Sequence, residues 1–72
     1  MKKIQQKESI HERMRQYLNL IYNFQKRNLV SVEDVRELDE ELFEKAMSME
    51  FLSLGPNKTI KVTQDGLDMY NI

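Results

Sequence analysis

The apolar side chains Ile10, Met14, Tyr17, Ile21 and Phe24 recur at alternating steps of four and three residues. That spacing puts them on one side of a helix and on no single face of a strand. Leu18 widens the stripe. The pattern predicts a long amphipathic helix from about Glu8 to Arg27. Lys26 and Arg27 fall near its C-terminal end, where positive charge suits the helix dipole, and Asn28 follows as a candidate left-handed cap. Such a helix is stable only when another layer covers the stripe. The same spacing fits a heptad seam, although it is too short to establish a coiled coil. Leu20 and Tyr22 lie on opposite edges of the stripe, so the first helix has apolar surface left over for a possible homodimer.

The rest of the chain offers that covering layer in short pieces. In "LVSVEDVREL", Ser31 is a good N-cap and Asp34 stands in a capping-box-like position. Val32, Val35 and Leu38 then form one side of a helix over Val32–Leu38. Asp39 caps another, with Glu40 and Glu41 in its first turn. Leu42, Phe43, Ala46, Met47 and Met49 form the apolar side of this helix, Glu40–Met49. "FLSL" and "TIKVT" read as strands around the turn Gly55-Pro56-Asn57-Lys58, with Pro56 suited to the first central position. Thr63 caps a last helix from Gln64 to about Tyr70, with Leu67 and Tyr70 on one side. Gly66 within it costs about 1 kcal/mol relative to alanine unless the backbone needs it.

At 72 residues without cysteine, the chain has room for one small core and no disulfide or thiolate metal site to brace it. One domain is expected over 1–72, with 1–7 as a basic tail. No apolar run approaches a membrane span, and the lysines of "MKKIQQKESI" have no apolar segment behind them as a signal peptide would. A cytoplasmic, intracellular protein is the expectation. The near-neutral total charge hides a division. Residues 1–30 carry seven Lys and Arg against two Glu, whereas residues 31–50 carry eight acids against two cations. The two segments either attract each other in the fold or face different partners.

The order helix, short helix, helix, hairpin, helix resembles the winged helix-turn-helix superfamily, an α+β and mostly helical fold. "VSVEDVREL" looks like the first helix of the helix-turn-helix. "EELFEKAMSMEFLSL" looks like the second running into a wing strand. "TIKVTQDGLDMY" looks like the second strand and its exit, where many winged-helix proteins place a threonine, two variable residues, a glycine and an apolar helix. Here the segment from Ala46 to Leu52 is shorter than usual, Glu50-Phe51 replaces a small residue, and the wing tip is minimal. Stand-alone chains this small resemble regulators of phages, plasmids and other mobile elements.

Enzymatic chemistry is not expected. His11 is the single histidine and reads as a surface residue; no Gly-rich phosphate loop is present. The pairs Glu40/Glu44 and Glu37/Glu41 are at solvated helical spacing, and Asp34, Glu37, Glu40 and Glu41 lack the spacing of a calcium loop. No cofactor or metal is expected.

The resemblance implies duplex DNA as partner, with the second helix of the motif in the major groove. Carried over by position, the groove residues are Glu40, Glu41, Glu44, Lys45 and Ser48. The wing offers Asn57, Lys58 and Lys61. Three glutamates facing phosphates repel, and base edges are read mostly by Arg, Lys, Asn and Gln. The leading expectation is therefore a DNA-associated regulator of transcription or replication with displaced contacts. These come from Lys58, Lys61, Asn57 and Lys45 with Lys2, Lys3, Lys7, Arg13 and Arg15. The alternative is a protein-interaction module, adaptor or DNA mimic, that sets Glu40, Glu41, Glu44 and Ser48 against a basic protein partner.

Overall fold

A computed structural model describes residues 9–72. Helix α1 spans Ile10–Gln25, α2 Val32–Leu38 and α3 Glu40–Ser48. Strands β1 (Leu52–Leu54) and β2 (Ile60–Val62) follow, and α4 (Gln64–Tyr70) closes the chain. This is the α+β layout of a winged helix. Lys2, Lys3 and Lys7 lie outside the described residues. No helix among the described residues is long and apolar enough to cross a membrane.

Each helix begins at the cap that its sequence supplies. The Ser9 hydroxyl accepts from the Glu12 amide, Ser31 from Glu33, Asp39 from Leu42 and Thr63 from Gly66. Each cap stabilises its helix by about 1 kcal/mol. Asp39 both ends α2 and starts α3, in extended backbone, so the two helices meet with no linker.

The helix ends depart from expectation. Helix α1 stops at Gln25, so Lys26 and Arg27 lie just past it in a turn. Asn28 is not among the residues at positive φ, and its amide donates to the Phe24 carbonyl. The left-handed positions are instead Glu50, Asn57, Lys58 and Asn71. In the hairpin the Thr59 amide donates to the Pro56 carbonyl. Pro56 therefore opens that turn rather than taking its first central place. Asn57 and Lys58 are the central residues, both at positive φ, the arrangement that matches strand twist in hairpins.

β1 and β2 pair antiparallel with Leu52 opposite Val62 and Leu54 opposite Ile60. On its other edge β2 gains a partner that the sequence did not suggest. The Ile60 amide donates to the Val30 carbonyl, and Ser31 bridges to Thr59. The Val62 amide, further along that edge, donates to the Gln25 side chain at 2.7 Å. A side chain from α1 thus completes hydrogen bonding where no strand reaches.

The core joins Met14, Tyr17, Leu18 and Ile21 of α1 to Val35, Leu42 and Ala46 of the helix-turn-helix, and to Phe51, Leu52, Ile60, Val62 and Tyr70. The outer members of the predicted apolar faces are exposed: Ile10 and Phe24 at the two ends of the α1 stripe, Leu38 at the end of α2, Met49 past α3, and Leu54 at the hairpin. The core is too small to reach them. Gly66 is buried because α4 presses against the chain here: a Cβ would lie 3.2 Å from both Cβ and O of Phe51 and 3.3 Å from Val62. The absence of a Cβ is what lets α4 pack this closely, at the cost in helix propensity that glycine carries.

Candidate interaction surfaces

Leu42 and Ala46 turn inward with Phe43 and Met47 beside them, which fixes how α3 is rotated. Glu40, Glu41, Glu44, Lys45 and Ser48 are consequently all exposed. Glu40, Glu41, Glu44 and Lys45 line one shallow depression. The helix-turn-helix position does carry an acidic outer surface, and α2 extends it with exposed Glu33, Asp34 and Glu37. Among the described residues, no three His, Asp or Glu side chains gather as a metal site.

The predicted cations divide into two groups. Arg13 reaches from α1 to the start of α3, with its Nη2 at 3.1 Å from Asp39 Oδ2 and 3.9 Å from Glu41 Oε1. Arg15 forms an ion pair with Glu12 one turn away. Its hydrogen bond holds the Glu12 carboxyl below the usual carboxylate range, and Glu12 in turn raises Arg15. Both arginines thus spend their charge inside the molecule. In contrast, Lys45, Lys58 and Lys61 make no ion pair among the described residues. Lys61 projects outward between buried Ile60 and Val62, and shares a depression with Asn57. Lys58 lines another with Arg36 and Glu33. Arg36 was not singled out from the sequence; only the folded hairpin brings a residue so far along the chain to its side.

Two aromatic residues tie the helices beneath these surfaces. The Tyr17 hydroxyl donates at 2.7 Å to the Val35 carbonyl, one of the last four in α2 and hence without an intrahelical partner. Burial and, secondarily, the Asp39 charge push the phenol well above its ordinary range. Tyr70 packs edge-on against Phe51, while exposed His11 lies tilted against the Tyr70 ring with centroids 4.7 Å apart. His11 is a surface residue closing α4 onto α1, as its sequence position suggested.

Comparison with protein-family models, curated proteins and solved structures finds no match, so the likeness to winged-helix proteins rests on the order and packing of these elements.

Proposed function

We propose that this protein is a small winged-helix regulator that acts by docking a basic protein segment on the outer surface of α3. One observation carries the reading. Glu40, Glu41 and Glu44 are exposed together at the position that would enter a DNA groove, and of the three only Glu41 has an arginine in reach among the described residues, Arg13 at 3.9 Å, which Asp39 holds more closely at 3.1 Å. A surface of this sign repels phosphates and steers a cationic partner. The test uses a lysine- and arginine-rich peptide as probe, titrated at low and then moderate salt. Wild-type protein binds it in a salt-sensitive way, and the combined Glu40→Lys, Glu41→Lys and Glu44→Lys variant does not. Equal binding by both overturns the reading.

A second reading keeps DNA as the partner. It is favoured by Lys58, Lys61 and Lys45, none of which makes an ion pair among the described residues, and to which Asn57 and the N-terminal Lys2, Lys3 and Lys7 would add. Random duplex DNA at about 50 mM salt tests it, because phosphate contacts are strongest at low ionic strength. Binding that falls on combining Lys58→Glu with Lys61→Glu supports the wing; no binding at that salt removes the reading.

A further inference from the structure

The two edges of the hairpin differ. The Gly55 amide donates to Thr59 and the Thr63 amide to Phe51, so the positions of β1 that bond to β2 are Phe51, Ser53 and Gly55. Between them, Leu52 and Leu54 turn their amides and carbonyls away from β2. The matching outward amides of β2, those of Ile60 and Val62, are taken by the Val30 carbonyl and the Gln25 side chain. Nothing equivalent covers β1: among the described residues, no hydrogen bond reaches the outward groups of Leu52 and Leu54. The strand also lacks what commonly deters edge pairing, since Leu52-Ser53-Leu54 holds no charge, proline or bulge. Leu54 is 60% exposed at its end.

This edge is complementary to itself. Its sequence is Leu-Ser-Leu in either direction. A two-fold axis beside Ser53 sets Leu52 opposite Leu54 of a second copy, and Ser53 opposite Ser53. Leu52 and Leu54 then exchange amide-to-carbonyl bonds in both directions, so the two amides and two carbonyls of each copy close as four bonds with none left over. The small Ser53 side chains meet at the closely spaced, non-bonded position. Exposed Leu54 comes to lie beside buried Leu52 of the second copy, on the sheet face that meets the core. The flanking charges agree with this direction. Glu50 precedes the edge and Lys58 follows it, and neither makes an ion pair among the described residues. The rotation brings the acidic end of each edge to the basic end of the other. Pairing stops at Glu50, whose left-handed backbone leaves the strand, and at Pro56, which has no amide. We propose that β1 pairs with β1 of a second copy, joining the two hairpins into one four-stranded antiparallel sheet. Self-association then centres on the hairpin, not on the Leu20 and Tyr22 margins of α1. No residue of α3 takes part, so the pairing is independent of what α3 binds.

Sedimentation of the full chain from about 1 µM to about 1 mM, a range that brackets weak to moderate self-association, tests the proposal. The expected result is a concentration-dependent shift from one chain mass to two. Leu54→Pro removes an outward amide and leaves the bonds to β2 in place. It deletes two of the four bonds across the axis and should weaken association at least about tenfold. Leu54→Ala keeps the amide and should weaken it less. Amide hydrogen exchange of the wild-type chain gives a readout that needs no variant. From dilute to concentrated protein the Leu52 and Leu54 amides should slow severalfold, while that of Ser53, already bonded to Lys61, changes less. If Leu54→Pro does not fold, this alternating pattern alone decides. A wild-type chain that stays monomeric throughout overturns the proposal; protection of Leu52 and Leu54 only when an unrelated extended peptide is added does the same, and gives the edge to another protein. A dimer that slows other amides instead of these two, or that tolerates Leu54→Pro, overturns the assigned edge.

Discussion

Helices α3 and α4 leave by the same backbone route but for different reasons. After α3, the Glu50 amide donates to Met47 and the Phe51 amide to Ala46. After α4, the Asn71 amide donates to Asp68 and the Ile72 amide to Leu67. Both are Schellman ends, with the turning residue left-handed at φ 63° for Glu50 and 59° for Asn71. Asn71 suits that conformation by its own chemistry. Glu50 does not: an ordinary side chain there costs about 1–2 kcal/mol, and a negative charge at a helix C-terminus adds to the cost. What imposes the turn on Glu50 is the surrounding fold. Phe51 is buried beneath Gly66, the Thr63 hydroxyl donates to the Glu50 carbonyl at 2.7 Å, and the Thr63 amide donates to the Phe51 carbonyl. One end is specified locally, the other by tertiary contact.

The largest effect should come from breaking the contact that imposes the α3 exit. Gly66→Ala sets a Cβ 3.2 Å from the Phe51 carbonyl oxygen, so Phe51 must shift by a few tenths of an ångström, and we expect a loss of about 1–3 kcal/mol in urea unfolding, despite alanine's better helix propensity. A stabilised variant would mean that α4 does not press on Phe51.

The α2 exit is a third solution, in which a distant side chain serves the helix end. Tyr17→Phe leaves the Val35 carbonyl without that partner and should cost about 1–2 kcal/mol. It should also change the alkaline limb of stability. Below the ordinary phenol pKa of 10.0, Tyr17 is neutral whether the chain is folded or not. Above it the unfolded chain ionises while the folded one resists, so stability falls as pH rises. Tyr70, raised by burial as well, falls in the same direction, so Tyr17→Phe should flatten the alkaline decline without removing it. An unchanged decline would show that Tyr17 is not shielded.

These three exits also mark how far the sequence could be read. Apolar spacing and the caps Ser31, Asp39 and Thr63 locate the elements, because those signals are local. Asn28 was a reasonable left-handed candidate by residue type, yet its amide is taken by Phe24. Glu50 and Lys58 carry no local sign of positive φ; their conformations follow from Phe51, Thr63 and the hairpin register. The same holds for the surfaces. The outward acids of α3 follow from the placement of Leu42 and Ala46, so they are legible in order. The capture of Arg13 by Asp39 is not: opposite charges in two segments say only that such pairs are available. Likewise Ile10, Phe24 and Leu38 fit the apolar faces by spacing, but spacing does not say where a small core ends.

The smallest effect tests the comparison most directly. Glu50→Gly removes both the left-handed penalty and the charge at the α3 terminus, so it should stabilise the protein by about 1 kcal/mol. Glu50→Gln keeps a side chain at positive φ and should recover only the charge part, a few tenths of a kcal/mol. Asn71→Gly should change stability by no more than a few tenths, because asparagine already tolerates the turn. Chemical unfolding of the three variants side by side separates the causes. If Glu50→Gln gains as much as Glu50→Gly, charge alone opposes the α3 exit and backbone strain does not. If Asn71→Gly gains as much as Glu50→Gly, the two exits do not differ in the way proposed, and residue type matters less at both than the tertiary contacts that close them.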